Sequence, residues 1–165
     1  MDAAFTLAWQ YAAHQVRSED LPMAAARLLA GDHDSPALRE LAGCSGRERW
    51  SDLDPMIRQA LDELGHPVPS GAAAERHLVH HLAGRLAADE LTPSEVYAEL
   101  GTHTTGDLAT KAEEQLIGVV ARAACCRSCF SEFEEFSPGE FRTWEADVRS
   151  AAAALLTSGD DPSVT

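Results

Sequence analysis

TPSEVYAELG, Thr92–Gly101, spells out a helix from start to stop. Thr92 stands where a capping side chain is needed, Pro93 takes the first helical position, and Glu95 lies where its carboxylate reaches back to the cap. Gly101 follows, the residue that most readily lets a chain leave a helix. The same device recurs as Ser137-Pro138-Gly139-Glu140, and Asp34-Ser35-Pro36 and Asp54-Pro55 each place proline behind a capping side chain. Gly31, Gly43 and Gly65 read as further stops. No alternating run of β-branched residues occurs.

Read outward from that punctuation, the chain predicts helices near 2–18, 21–30, 35–42, 54–64, 71–89, 93–100, 106–130 and 138–157. The expected fold class is all-α: a single-domain bundle of about eight helices over residues 1–157, with 158–165 as a flexible C-terminal tail. An echo at an offset of 70 residues pairs Glu19-Asp20-Leu21-Pro22 with Asp89-Glu90-Leu91-Thr92-Pro93, and Gly31-Asp32-His33 with Gly101-Thr102-His103. It suggests an internal duplication, 1–70 and 71–157, into two related helical halves. His33 and His103 then occupy matched turns just past helix ends, where an imidazole caps terminal carbonyls.

Composition narrows the partners. The 165 residues hold 13 Lys+Arg against 27 Asp+Glu, a formal net charge of −14. Nucleic-acid binding needs basic residues to neutralise phosphates, and anionic membranes need the same, so neither is expected. A basic protein partner fits this charge. Lys111 is the sole lysine, Asn is absent and Ile appears twice, a bias typical of GC-rich bacterial, particularly actinobacterial, genomes. MDAAFTLAWQ lacks the basic n-region of a signal peptide, and no run of about 18 apolar residues is present, so the expected location is cytoplasmic, with thiols reduced.

Three of four cysteines crowd into ARAACCRSCF, Ala121–Phe130. On a helical wheel Cys126 joins the apolar stripe Leu108, Ala112, Leu116, Val119, Ala123 and Phe130, as a small buried hydrophobe does, while Ile117, Val120 and Ala124 form a second apolar patch on the far side, so this helix is expected to be covered on two faces. Cys125 and Cys129 are one turn apart. In AERHLVHHLAG, Leu78, Val79, Leu82 and Leu86 form the inward stripe and His77, His80 and His81 fall opposite it. His77 and His81 have chelating spacing, so His77, His81, Cys125 and Cys129 are the candidate metal ligands, with zinc the fitting ion. A solvated imidazole-rich face is the plainer reading, and no cofactor is the primary expectation.

Enzyme signatures are missing: no GxxxxGK[ST], no GxGxxG, no GxSxG and no HExxH. Two surfaces remain. In FSEFEEFSPGEFRTW, Phe133 and Phe136 alternate with Glu132, Glu134 and Glu135, a row that suits a basic, apolar groove or else packs the last helix. On the first helix Phe5, Trp9, Ala12 and Val16 are expected inward. Leu7, Tyr11 and His14 lie on the other side, either as an interface, including one with a second copy in a homodimer, or under another helix. The function expected from sequence is a non-enzymatic acidic helical protein that binds a protein partner, in the manner of an immunity protein, antitoxin or adaptor. The alternative is a metal- or small-molecule-binding accessory or self-protection protein of a biosynthetic pathway.

Overall fold

The computed structural model describes residues 2–100, 110–129 and 137–159, with the side chains of 124–129 and 138 outside the description. Among the described residues there are eight α-helices and no strand, so the chain is all-α. They are α1 (Ala3–Ala12), α2 (Leu21–Ala30), α3 (Pro36–Ala42), α4 (Trp50–Glu63), α5 (Gly71–Ala87), α6 (Pro93–Leu100), α7 (Lys111–Cys129) and α8 (Pro138–Thr157). The chain divides into two compact units, 1–74 and 75–165.

In the first unit α3 packs against both α2 and α4. Leu21, Ala25, Leu28, Leu38, Leu41, Leu53, Ile57 and Leu61 make its core, joined by Leu7, Ala8 and Tyr11 from α1. Ser35 caps α3 as expected, accepting from the Leu38 N–H at 3.1 Å. Glu63, at the end of α4, accepts from the Ala37 N–H at 3.1 Å and ties the start of α3 to α4. The expected start of α4 at Asp54 is corrected: the helix begins at Trp50, and Pro55 lies inside it. Burying Leu53 on the core requires the earlier turn, even though Pro55 cannot donate to the Ser51 carbonyl.

The first helix is shorter than expected. It stops at Ala12 because His14 turns left-handed (φ 57°) and the Gln15 N–H returns to the Gln10 carbonyl. The same closure ends α2 at Asp32, α4 at Gly65 and α5 at Asp89.

In the second unit α7 packs on α8, and α6 touches both. Both expected capping boxes close reciprocally, at Thr92/Glu95 and Ser137/Glu140. A third, Thr110/Glu113, starts α7. Trp144, Val148 and Leu155 are buried on α8 as its apolar face required, while Phe141 is exposed beside Trp144. On α7 the buried line is Glu113, Leu116 and Val120, taking Leu116 from one expected apolar patch and Val120 from the other, with Ala112, Ile117 and Val119 half-buried.

Candidate functional site

Starting α4 at Trp50 puts Trp50, Asp54 and Arg58 at i, i+4 and i+8, one row along the helix. Tyr11 of α1 meets that row. Its ring stacks on the Trp50 indole with centroids 5.2 Å apart and planes 11° from parallel. Its hydroxyl donates to Asp54 Oδ1. Arg58 Nε donates to Asp54 Oδ1 at 2.9 Å and Oδ2 at 3.1 Å, and the guanidinium lies 5.7 Å from the Tyr11 ring centroid. These side chains line a pocket of about 190 Å³ together with Ala12, His14, Val68, Pro69 and Gly71, all within the first unit. Tyr11 is 2% exposed and Trp50 41%, so a buried ring backs an accessible one.

The electrostatics follow from that geometry. Burial raises the Tyr11 phenol well above its ordinary value, and the hydrogen bond to Asp54 and that group's charge add to the shift. Asp54 is held below the usual carboxylate range by the Tyr11 hydroxyl first and by Arg58 after it. The pocket therefore holds a neutral phenol, an ionised carboxylate turned to its own neighbours, and a guanidinium turned through Nε to that carboxylate and facing the Tyr11 hydroxyl. It offers hydrogen-bond donors and a stacking face. Its one hydroxyl–carboxylate pair, Tyr11 and Asp54, is not set up as a nucleophile with its base, because the Tyr11 hydroxyl is buried and burial strengthens its hold on the proton.

The residues expected from sequence are placed as follows. Leu7 and Tyr11 are buried, so the patch they form on α1 is covered rather than free; Tyr11 reaches the pocket from beneath, and His14 is exposed at its edge. Phe133, Phe136, Glu132, Glu134 and Glu135 lie outside the described residues, as does His103. Cys125 and Cys129 lie on α7 with their side chains outside the description. The outward imidazole face of α5 is corrected: His77 is buried and His80 and His81 are half-buried, because α5 is covered on more than its leucine stripe. Trp50, Asp54 and Arg58 were missed. Their i, i+4, i+8 spacing was a usable signal, hidden by starting the helix at residue 54.

Two further clusters carry charge. Glu113 of α7, fully buried, accepts from Arg76 Nε at 2.9 Å and from His80 Nε2 at 3.0 Å, while its other oxygen takes the Thr110 N–H at 3.0 Å. Burial pushes this carboxyl up, but the hydrogen bonds from Arg76, His80 and Thr110 outweigh it and the net shift is downward. In the first unit Asp2 caps α1 through the Ala4 and Phe5 N–H groups, and His33 and His66 bring Nε2 to 3.3 and 3.4 Å of the same carboxylate. His33 thus uses its ring on Asp2 and only its backbone N–H, to the Leu28 carbonyl, to close the end of α2. Among the described residues no group of three or more His, Cys, Asp or Glu could hold a metal ion, and no helix is long and apolar enough to cross a membrane.

Fold and site together define an all-helical protein with a small pocket of aromatic and hydrogen-bonding side chains. No protein-family model, curated protein or solved structure matches the chain.

Proposed function

We propose that this is a non-catalytic, cytoplasmic helical protein that binds a small molecule in the Tyr11–Trp50–Asp54–Arg58 pocket, as an accessory or self-protection protein would. One observation carries the reading: an exposed Trp50 held flat against a buried Tyr11, at the mouth of a pocket lined by groups of fixed charge. Small-molecule sites combine that sort of apolar wall with a few oriented polar groups. The volume of about 190 Å³ is below the roughly 300 Å³ at which drug-sized pockets begin, which points to a ligand of a single ring. The test is a screen of small planar molecules read at the Trp50 indole N–H by NMR. A saturable shift is expected, accompanied by shifts of the Ala12 and Gly71 amide signals that disappear in Trp50→Ala. A panel that leaves that signal unmoved sinks the reading.

A second reading has its own support. The net charge of −14 suits a basic protein partner, attracted over the Debye length and oriented before contact. Association measured against salt tests it: the on-rate for such a partner falls steeply as salt rises, and a salt-independent on-rate removes the electrostatic basis.

A further inference from the structure

We infer that the pocket's ligand is a small planar carboxylate, stacked at Trp50 and held by Arg58; this deepens the small-molecule reading above and rests on it. The inference comes from which polar edges of the pocket are already used. Asp54 is spent on the protein itself, with Oδ1 taking the Tyr11 O–H and the Arg58 Nε–H and Oδ2 sharing the latter. Its negative charge is matched by the guanidinium beside it, and its low proton affinity keeps it in that role. Tyr11 donates its only proton inward. Both hydrogen bonds from Arg58 to Asp54 leave from Nε; the guanidinium also faces the Tyr11 hydroxyl, and its remaining N–H groups, on an exposed side chain, are those an incoming acceptor meets. Arg58 is exposed, and His14 lines the same pocket, also exposed. What the exposed side chains of the pocket turn toward a ligand is the Arg58 guanidinium, with the His14 imidazole beside it.

A guanidinium fork is matched by a planar, two-oxygen anion, which it takes in parallel hydrogen bonds. An ammonium or guanidinium ligand meets the opposite situation: the one carboxylate is occupied and the nearest free group is a like charge. The aromatic wall requires a flat body of about one ring to fill the remaining volume. The overall charge of −14 opposes any anion at long range, and at physiological salt that opposition is confined to charges within about 8 Å.

Three single-ring probes of similar size, benzoate, benzamide and benzylamine, titrated into the full-length protein and read at the Trp50 indole N–H and the His14 ring protons, decide the matter. Expected is saturable benzoate binding, with benzamide and benzylamine at least about tenfold weaker, and a loss of about tenfold in benzoate affinity in Arg58→Gln. Arg58 is exposed, so the variant is expected to melt with the parent. Should it not, His14→Asn, a residue that tolerates the same left-handed backbone, gives the second reading through weakened benzoate binding. Benzamide or benzylamine binding as well as benzoate overturns the carboxylate assignment and leaves the pocket reading standing. No movement of Trp50 with any probe overturns both. A short peptide offering only its terminal carboxylate, bound tenfold tighter than benzoate, would transfer the site to a partner's chain end and overturn the free-acid form.

Discussion

Tyr11 is where structure and acid–base chemistry are most tightly joined. Its phenol is buried and donates to an ionised Asp54, so the neutral form is the one the fold accepts. A folded-state pKa above the unfolded value near 10 gives a contribution that is complete below about pH 10 and shrinks as pH rises through the folded value. In a Tyr97→Phe background Tyr11 is the sole tyrosine, and its phenolate absorbance should stay absent past about pH 11 until the protein unfolds. A normal titration near pH 10 contradicts the buried hydrogen bond. Asp54 works in the other direction: its lowered pKa stabilises above about pH 4 and the contribution is lost as acid protonates it.

Glu113 makes the corresponding case in the second unit. It caps α7, faces Arg76 and His80, and is fully buried. Glu113→Ala removes this counter-charge from Arg76 and opens the cap, and should cost about 3 kcal/mol in urea unfolding. Glu113→Gln, which keeps an acceptor at the cap, should cost clearly less. Equal losses in both would show that the charge, and not the acceptor at the cap, carries the whole contribution. Sequence alone marks Glu113 at most as a capping residue. Its burial follows from which way α7 is turned: the buried line takes Leu116 from one apolar patch of the wheel and Val120 from the other, with Glu113 in the same line.

Among the elements, the starts were more legible than the stops. Pairs such as Thr92/Glu95 are local, and their side chains close on backbone three residues away wherever they occur. Glycine is only one route to a stop: of the five helices followed by a left-handed residue among the described residues, α4 and α8 use glycine, Gly65 and Gly159, and the others use His14, Asp32 and Asp89. That is why α1 was expected to reach residue 18, and why the pocket edge formed by His14 was not foreseen. Shifting the start of α4 hid the rest of the site, since Trp50 and Asp54 share a helical row only if the helix precedes Pro55. The stops yield a paired prediction. A Cβ at Gly65 meets nothing within 4 Å, so Gly65→Ala tests backbone strain alone, and about 1 kcal/mol should be lost. Asp32→Gly relieves the same strain at an exposed turn and should gain up to about 1 kcal/mol, partly offset by glycine's freedom when unfolded. Opposite signs in urea midpoints are expected; a loss at both positions would mean that Asp32 contributes through its side chain.

At the scale of the whole molecule, two compact units and a large net charge set the expectations. The acidic excess is present in both, with 6 basic against 11 acidic residues in 1–74 and 7 against 16 in 75–165. Each unit has buried leucines of its own, Leu38 in the first and Leu116 in the second, both at 0% exposure. Truncating either to alanine should cost about 3 kcal/mol through lost burial and a residual cavity. The division at residue 74 predicts where that cost appears. In native-state hydrogen exchange Leu38→Ala should speed exchange in α1 to α4 and leave α6 to α8 near their parent rates, and Leu116→Ala should do the reverse. Added salt supplies the control, because screening the acidic self-repulsion should slow exchange in both units together. Acceleration spreading through all eight helices from either leucine would mean that the chain unfolds as one cooperative body, and that ligand stabilisation at the pocket would protect α6 to α8 as strongly as α4.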